Sequence, residues 1–305
     1  AVCAVSVALG AGLIISVWML QDRARSAFTG IDCGFDGVAG SRGSALQLVL
    51  SSIFQIEDSP GNVPWSFFQE LRADRRVTAA VPLAVGDQYR GYRLIGTTPE
   101  FLEFARGPGG QPLSVEDGGR WCEHLHDAVA GATAAQQLKL GPGSVFHPTH
   151  GLDEGGAAHE ETCTVTGVLR PTGGPFDRAI YVPLESVFRM SGHLLRGAGG
   201  AFEAHGAAEI PDSVKEVSAI LLRVRHPQAG FSLDEEFNRR GRSFTIAWPI
   251  GRVMGQLLAR LGWVNQVLAL VAYLTVVVAA AAILAATYNS MEQRRREIAT
   301  LRALG

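Results

Sequence analysis

The chain has 305 residues, with 27 Lys or Arg against 29 Asp or Glu, a formal net charge of −2, and 47% hydrophobic residues. That balance excludes a nucleic-acid binder, because no basic domain or stripe stands apart from the final segment. Lys139 and Lys215 are the only lysines, and neither closes a G-x-x-x-x-G-K-[ST] loop, in which a lysine reaches phosphates and a hydroxyl holds Mg²⁺. No nucleotide site is therefore predicted in this chain.

Residues 1–20 carry no charge and predict a first membrane helix, with Gly10, Gly12 and several alanines permitting close packing. A signal peptide would need a basic leader and a small-x-small cleavage site, and neither is present around Leu20. Residues 21–260 hold no apolar run long enough to span a bilayer and predict a domain of one or two lobes. Apolar residues alternate over 44–56 and predict a strand, and Asp58-Ser-Pro-Gly-Asn predicts a turn. Pro64 opens a helix over 64–73, with Phe67, Phe68 and Leu71 at helical spacing. Strands follow at 77–85 and 89–95, and Thr98-Pro99 caps a helix carrying Phe101, Leu102 and Phe104. Residues 151–158 and 202–211 read as loops. A second unit of strand 219–224, helix 233–239 and strand 243–247 completes an α+β sandwich. Asp234, Glu235 and Glu236 fall in the first turn of that predicted helix, where they complement its dipole.

Residues 261–291 again lack any charged residue, between Arg260 and Glu292. At ~1.5 Å per residue, about 20 helical residues cross the ~30 Å hydrocarbon core, so 261–290 predicts a second membrane helix. The tail 291–305 (MEQRRREIATLRALG) is basic and amphipathic. As a helix it sets Ile298, Leu301 and Leu304 along one stripe and Arg295, Arg296 and Arg302 elsewhere, with Glu297 one turn after Arg294.

Candidate chemistry is sparse. His147, His150 and His159 offer imidazoles to a Zn²⁺ ion, but their spacing fits no recognised site and Pro148 separates two of them. They read as a solvated loop, and no metal is predicted. His124 and His126 have no third ligand in view. Glu116 and Asp117 read as solvated, and Ser186 and Ser213 lack a local base. The cysteines, at 3, 33, 122 and 163, form no C-x-x-C pair. Cys122 with Cys163 is the favoured disulfide, with unpaired buried thiols as the alternative.

The run RRREIATLRALG resembles the cytoplasmic segment after the second transmembrane helix of the FtsX/MacB-like (type VII) ABC transporter permeases. In that family a run of arginines precedes a glutamate, an aliphatic residue, two variable positions and L-R-A-L-G. Here these are Arg294, Arg295, Arg296, Glu297, Ile298, Leu301, Arg302, Ala303, Leu304 and Gly305. Residues 127–146 resemble the family's helix, K-L-x-x-G-[DS] turn and strand, and 165–187 resemble its G-V-L, hairpin and V-P-L-E segment.

The resemblance implies an α+β extracytoplasmic domain over 21–260, with porter-like βαβ units and an inserted lobe, carried on two transmembrane helices. It implies a cytoplasmic coupling segment, 291–305, in which Arg294, Arg295, Arg296, Glu297, Ile298, Leu301, Arg302 and Leu304 meet an ABC ATPase subunit. The chain is then no enzyme and binds no cofactor; ATP and Mg²⁺ belong to the partner. Mechanotransmission would drive export of a lipoprotein, a peptide or a small amphiphile. A second permease subunit, identical or not, and a periplasmic adaptor or lipoprotein complete the expected partners, in the bacterial inner membrane. The large domain is placed outside by the resemblance, since arginines near the membrane tie between the two sides. Relative to the family both ends are expected to be truncated, with two further membrane helices beyond Gly305. The rivals are a two-span sensor and an FtsX-like regulator of a cell-wall hydrolase.

Overall fold

The computed structural model describes residues 32–151, 156, 158–190, 194–197, 200–203, 209–241 and 243–303, together with 8, 11, 12, 14–19 and 22. The chain divides into two compact units, Gly30–Met254 and, together, Ala1–Thr29 with Gly255–Gly305.

The larger unit begins with β1 (Gly37–Ser41), α1 (Ala45–Val49) continued by a π-helical turn (Leu50–Phe54), β2 (Val63–Pro64), α2 (Trp65–Ala73), β3 (Val77–Tyr89), β4 (Tyr92–Thr97) and α3 (Glu100–Phe104). It continues through β5 (Asp127–Ala130), α4 (Ala132–Leu138), β6 (Val145–Phe146), β7 (Thr149–His150), β8 (Cys163–Val168), β9 (Ile180–Pro183) and α5 (Leu184–Arg189). Then come β10 (Leu194–Gly197), β11 (Gly200–Glu203), β12 (Glu216–Val217), β13 (Ala219–Val224), α6 (Pro227–Asp234) with a π-helical extension (Glu235–Arg240), and β14 (Phe244–Ala247). The last helix, α7, is Ile250–Ala303.

Ten strands form one sheet in the order β14-β1-β13-β3-β4-β9-β5-β8-β6, with β7 on β3. The pairs β4–β9 and β5–β8 are parallel and the others antiparallel, so the unit is a mixed α/β domain on a large sheet. Residues 37–97 and 219–247 build one half of this sheet, and residues 127–183 build the other apart from β7. The halves meet where β4 pairs with β9.

Several expected elements stand where the sequence placed them. The helix expected at 64–73 is α2, with Phe67, Phe68 and Leu71 buried; Pro64 stands just before it in extended backbone. The strand expected at 219–224 is β13. The boundary between the strands near residue 90 is set by a two-residue turn in which Arg90 and Gly91 both have positive φ, 49° and 83°. This is the twist a tight hairpin demands. It gives Tyr89 to β3, opposite Tyr92, instead of to the following strand.

Other expectations are corrected. In place of the strand expected at 44–56, residues 45–54 are helical. Ser44 is extended and its hydroxyl accepts from the Gln47 amide, which caps the helix start. Leu48, Val49, Ile53 and Phe54 are the buried apolar residues, at helical and not alternating spacing. The segment 165–187 is no hairpin either. β8 and β9 both pair with β5, which lies between them. The run Asp234–Glu236 is not a first turn, because the helix starts at Pro227 behind a capping His226 whose Nδ1 accepts from Ala229 N–H at 3.2 Å. Instead Glu236 meets Arg76 at 2.7 Å, and Arg76 also binds Asp74 at 2.6 Å. The Arg76 hydrogen bond holds the Asp74 carboxyl below the usual carboxylate range. This network ties the α2–β3 turn to the helix after β13.

Of the first predicted membrane helix, 1–20, residues 8, 11, 12 and 14–19 are described and helical; the rest, with Cys3, lies outside the described residues. Among the described residues, one helical stretch, Gln266–Ala303 within α7, is long and apolar enough to cross a membrane.

Packing between α6 and β14 depends on a glycine. A Cβ on Gly230 would run into the indole ring of Trp248, which is itself buried at 8% exposure. Alanine would gain ~0.8–1 kcal/mol of helix propensity there. Forcing the ring aside costs typically 1–3 kcal/mol, and more for a clash this deep. Gly230→Ala is therefore expected to destabilise the Gly30–Met254 unit by about 1–2 kcal/mol in urea denaturation, although it replaces a glycine in a helix.

Candidate functional site

The tail predicted to couple is part of α7, which continues to Ala303 without a break. No proline follows Pro249, so nothing in the sequence forces a kink. The helix is apolar on most of its circumference. Val267, Leu270, Val277, Val278 and Leu284 are 49–70% exposed, whereas Ala272 and Ala279, one heptad apart, are buried. Exposed apolar surface all along a helix with its backbone bonds satisfied internally is suited to lipid, not to water.

Beyond the charge-free stretch, Arg294, Arg295, Arg296 and Arg302 are exposed, as are Ile298 at 54% and Leu301 at 68%. Arg296 Nε stands 3.7 Å from Glu292 Oε1, one turn earlier, a helix-surface pair worth only ~0.2–0.5 kcal/mol. The side chain of Glu297, and Leu304 with Gly305, lie outside the described residues. At the other end, α7 begins inside the larger unit. Ile250 N–H donates to the Asp36 carbonyl at 3.1 Å, and Ile250, Val253 and Met254 are buried. Asp36 also accepts from Val224 N–H through Oδ2 at 2.8 Å, so the first turn of α7 shares an anchor with β13.

The histidine loop is not uniformly solvated. His159 is 6% exposed, and its Nε2 lies 3.0 Å from Oδ1 of Asp87, a carboxylate that is 1% exposed. His150 Nδ1 reaches the same oxygen at 3.5 Å. Asp87 is brought there by a bulge: the β3–β4 register shifts between Val85 and Asp87, leaving Gly86 as the extra residue. β7 then pairs so that Asp87 stands opposite His150. His147 does not join; its Nδ1 is 3.3 Å from the His159 carbonyl. Asp87 carries no local sequence signal as a ligand, because it is more than sixty residues from either histidine.

The remaining candidates stay apart. Asp117 pairs with Arg170 at 2.6 Å on the surface, and the Glu116 amide bonds the Val168 carbonyl. Ser186 is fully buried and accepts from His126 N–H at 3.1 Å, which gives it a structural partner. Ser213 lies in a short 3₁₀ turn, Asp212–Val214. Cys33, Cys122 and Cys163 are free and buried, so the favoured Cys122–Cys163 disulfide does not form. Burial pushes the Cys33 thiol up to about 11 and those of Cys122 and Cys163 up to about 12. Such thiols stay protonated and unreactive at neutral pH. Alkylation of the native protein at neutral pH should spare all three. After denaturation without reductant all three should be modified, where a Cys122–Cys163 bridge would leave only Cys33 of the three.

The chain thus pairs a mixed α/β domain with an apolar, basic-tailed helix long enough to cross a membrane. The sequence matches the family described as the MacB-like periplasmic core domain over residues 1–229. The chain belongs to that family, and so to the FtsX/MacB-like permeases of ABC transporters, whose members work with ABC ATPases. No curated protein matches. Among solved structures, it is similar to the periplasmic region of MacB from Actinobacillus actinomycetemcomitans, with 12% identity and a TM-score of 0.45 over 74% of this chain and 94% of that one. It is also similar to the extracellular domain of the noncanonic ABC-type transporter YknZ from Gram-positive bacteria, with 13% identity and a TM-score of 0.38 over 69% and 98%.

Proposed function

We propose that this chain is the non-ATPase permease subunit of an ABC transporter that works by mechanotransmission. The observation that carries the reading is the continuity of α7. One helix has Ile250, Val253 and Met254 buried at its start and basic, exposed last turns. An α-helix resists axial compression because every interior turn is closed by hydrogen bonds, so it can pass on a displacement. ATP with Mg²⁺ binds the partner ATPase, whose closure pushes on the tail; a second permease subunit completes the assembly. The cargo is a lipoprotein, a peptide or a small amphiphile, received with or without a periplasmic adaptor. Residues 1–20 supply the second span that a multi-pass permease of the bacterial inner membrane requires.

At the tail, the exposed Ile298 and Leu301 offer apolar area to an ATPase groove, and the arginines set approach and register. Burying a leucine contributes roughly 1.5–3 kcal/mol, several times more than a helix-surface ion pair. In the complete permease assembled with its ATPase, Leu301→Asp is expected to weaken ATPase association by roughly ten- to a hundredfold and to abolish transport. Membrane insertion should be unchanged. Arg295→Ala should weaken assembly modestly and reduce its sensitivity to salt. Full association and transport in Leu301→Asp would make the tail a passive anchor and defeat this reading.

Sidedness has its own test. With native cysteines replaced, Asp117→Cys should react with an impermeant maleimide added to intact cells, and Arg296→Cys should react only after lysis. Labelling of Arg296→Cys in sealed cells would invert the topology.

A further inference from the structure

We propose that Asp87, His150 and His159 form a binding site for a divalent cation of the zinc class on the extracytoplasmic domain. The site does not depend on how the tail couples. Its three donor atoms lie within 4.8 Å of one another. Two of the separations are 3.0 and 3.5 Å, both from Asp87 Oδ1. A tetrahedral zinc ion with bonds of ~2.0–2.2 Å sets neighbouring ligand atoms about 3.3 Å apart. The two separations from Asp87 thus bracket the value that the ion requires.

The donor set selects the ion. Two imidazoles and one carboxylate suit zinc, cobalt or nickel, whereas Mg²⁺ and Ca²⁺ prefer oxygen throughout. Three protein ligands leave a fourth position for water or for an incoming group.

The fold holds these ligands from separate directions. Asp87 is on the bulge of β3, His150 faces it from β7, and His159 follows the bridge between Thr149 and Ala158. His159 N–H donates to the Pro148 carbonyl at 2.9 Å, and the His147 ring meets the His159 carbonyl. That backbone bracing fixes where the His159 ring can stand. Asp87 and His159 are thus a rigid, buried pair, and His150, with its side chain 55% exposed, is the ligand nearest solvent and the route of entry.

A simpler role is available to two of the three. A buried carboxylate needs a partner, and the hydrogen bond from His159 supplies one. That role makes no use of His150, which also converges on Asp87 Oδ1. His150 is therefore the residue that separates a metal site from a buried pair.

The experiment uses the full chain in detergent, stripped with a chelator and then freed of it. Titration with Co²⁺ should give one saturable visible d–d absorption per chain, displaced by Zn²⁺, and Zn²⁺ should raise the Tm while Mg²⁺ and Ca²⁺ do not. His150→Ala should leave the metal-free protein folded, with a cooperative thermal transition, and weaken Co²⁺ affinity at least about tenfold, as loss of even an outer-shell partner does. His124→Ala, which removes an exposed histidine away from the cluster, should change neither. Absence of the d–d band, or equal affinities in His150→Ala and the wild type, would leave Asp87–His159 as a buried pair and overturn the site. Because His159→Ala can simply unfold the domain, it is not the deciding variant.

Discussion

The domain is held as one body by strand β9, and within it by Tyr181. This strand pairs in parallel with β4 on one side and antiparallel with β5 on the other. Tyr181 faces Ile95 across the first pairing and Val129 across the second. Its ring is fully buried against Phe101, 5.0 Å away between centroids, and Trp121, at 5.9 Å. A phenol buried this deeply must donate its proton, and Tyr181 Oη donates to the Phe176 carbonyl at 2.9 Å. Leaving that group unpaired would cost about 1–3 kcal/mol. Remove β9 and the two halves of the sheet lose their shared edge.

The chain leaves the first half at Thr97 and rejoins that half of the sheet at β13, after β7 has paired with β3 and β12 with β2. The segment between is held on the first half by β9, β7 and β12 and by α5, which packs on β3 and β4. Ile250 joins the first half through Asp36, which also holds β13, and the β4–β9 pairing joins that half to the inserted one. The bulge at Gly86 sets the Asp87 cluster where the inserted segment touches β3.

Charge plays two different parts along the molecule. In the domain, carboxylates and guanidinium groups are paired at short range. Burial alone would raise the Asp127 pKa, but the Arg120 hydrogen bond and the N–H groups of His124 and Glu123 outweigh it and hold it low. Along α7 the reverse holds. Charge is absent over 261–291 and then concentrated as exposed arginines. The first pattern fixes a shape, and the second is the pattern expected where a helix leaves lipid for water.

The sequence by itself determined what depends on composition and short-range periodicity. The charge-free run 261–291, its basic tail, α2 and β13 were all legible, because a span needs ~20 apolar residues and amphipathic elements repeat every 3.6 or 2 residues. The family, too, was legible in 165–187, which lies within the matched residues 1–229. What tertiary structure decided was everything set by partners distant in sequence. Residues 44–56 alternate well enough to suggest a strand, yet Ser44 caps a helix and the core lies along its face. β8 and β9 are neighbours in sequence, yet β5 takes the place between them because each finds its register there. The candidate site divides in the same way. His150 and His159 could be named from the sequence, but Asp87 joined them only through a bulge and a two-residue pairing, and no local pattern encodes either one.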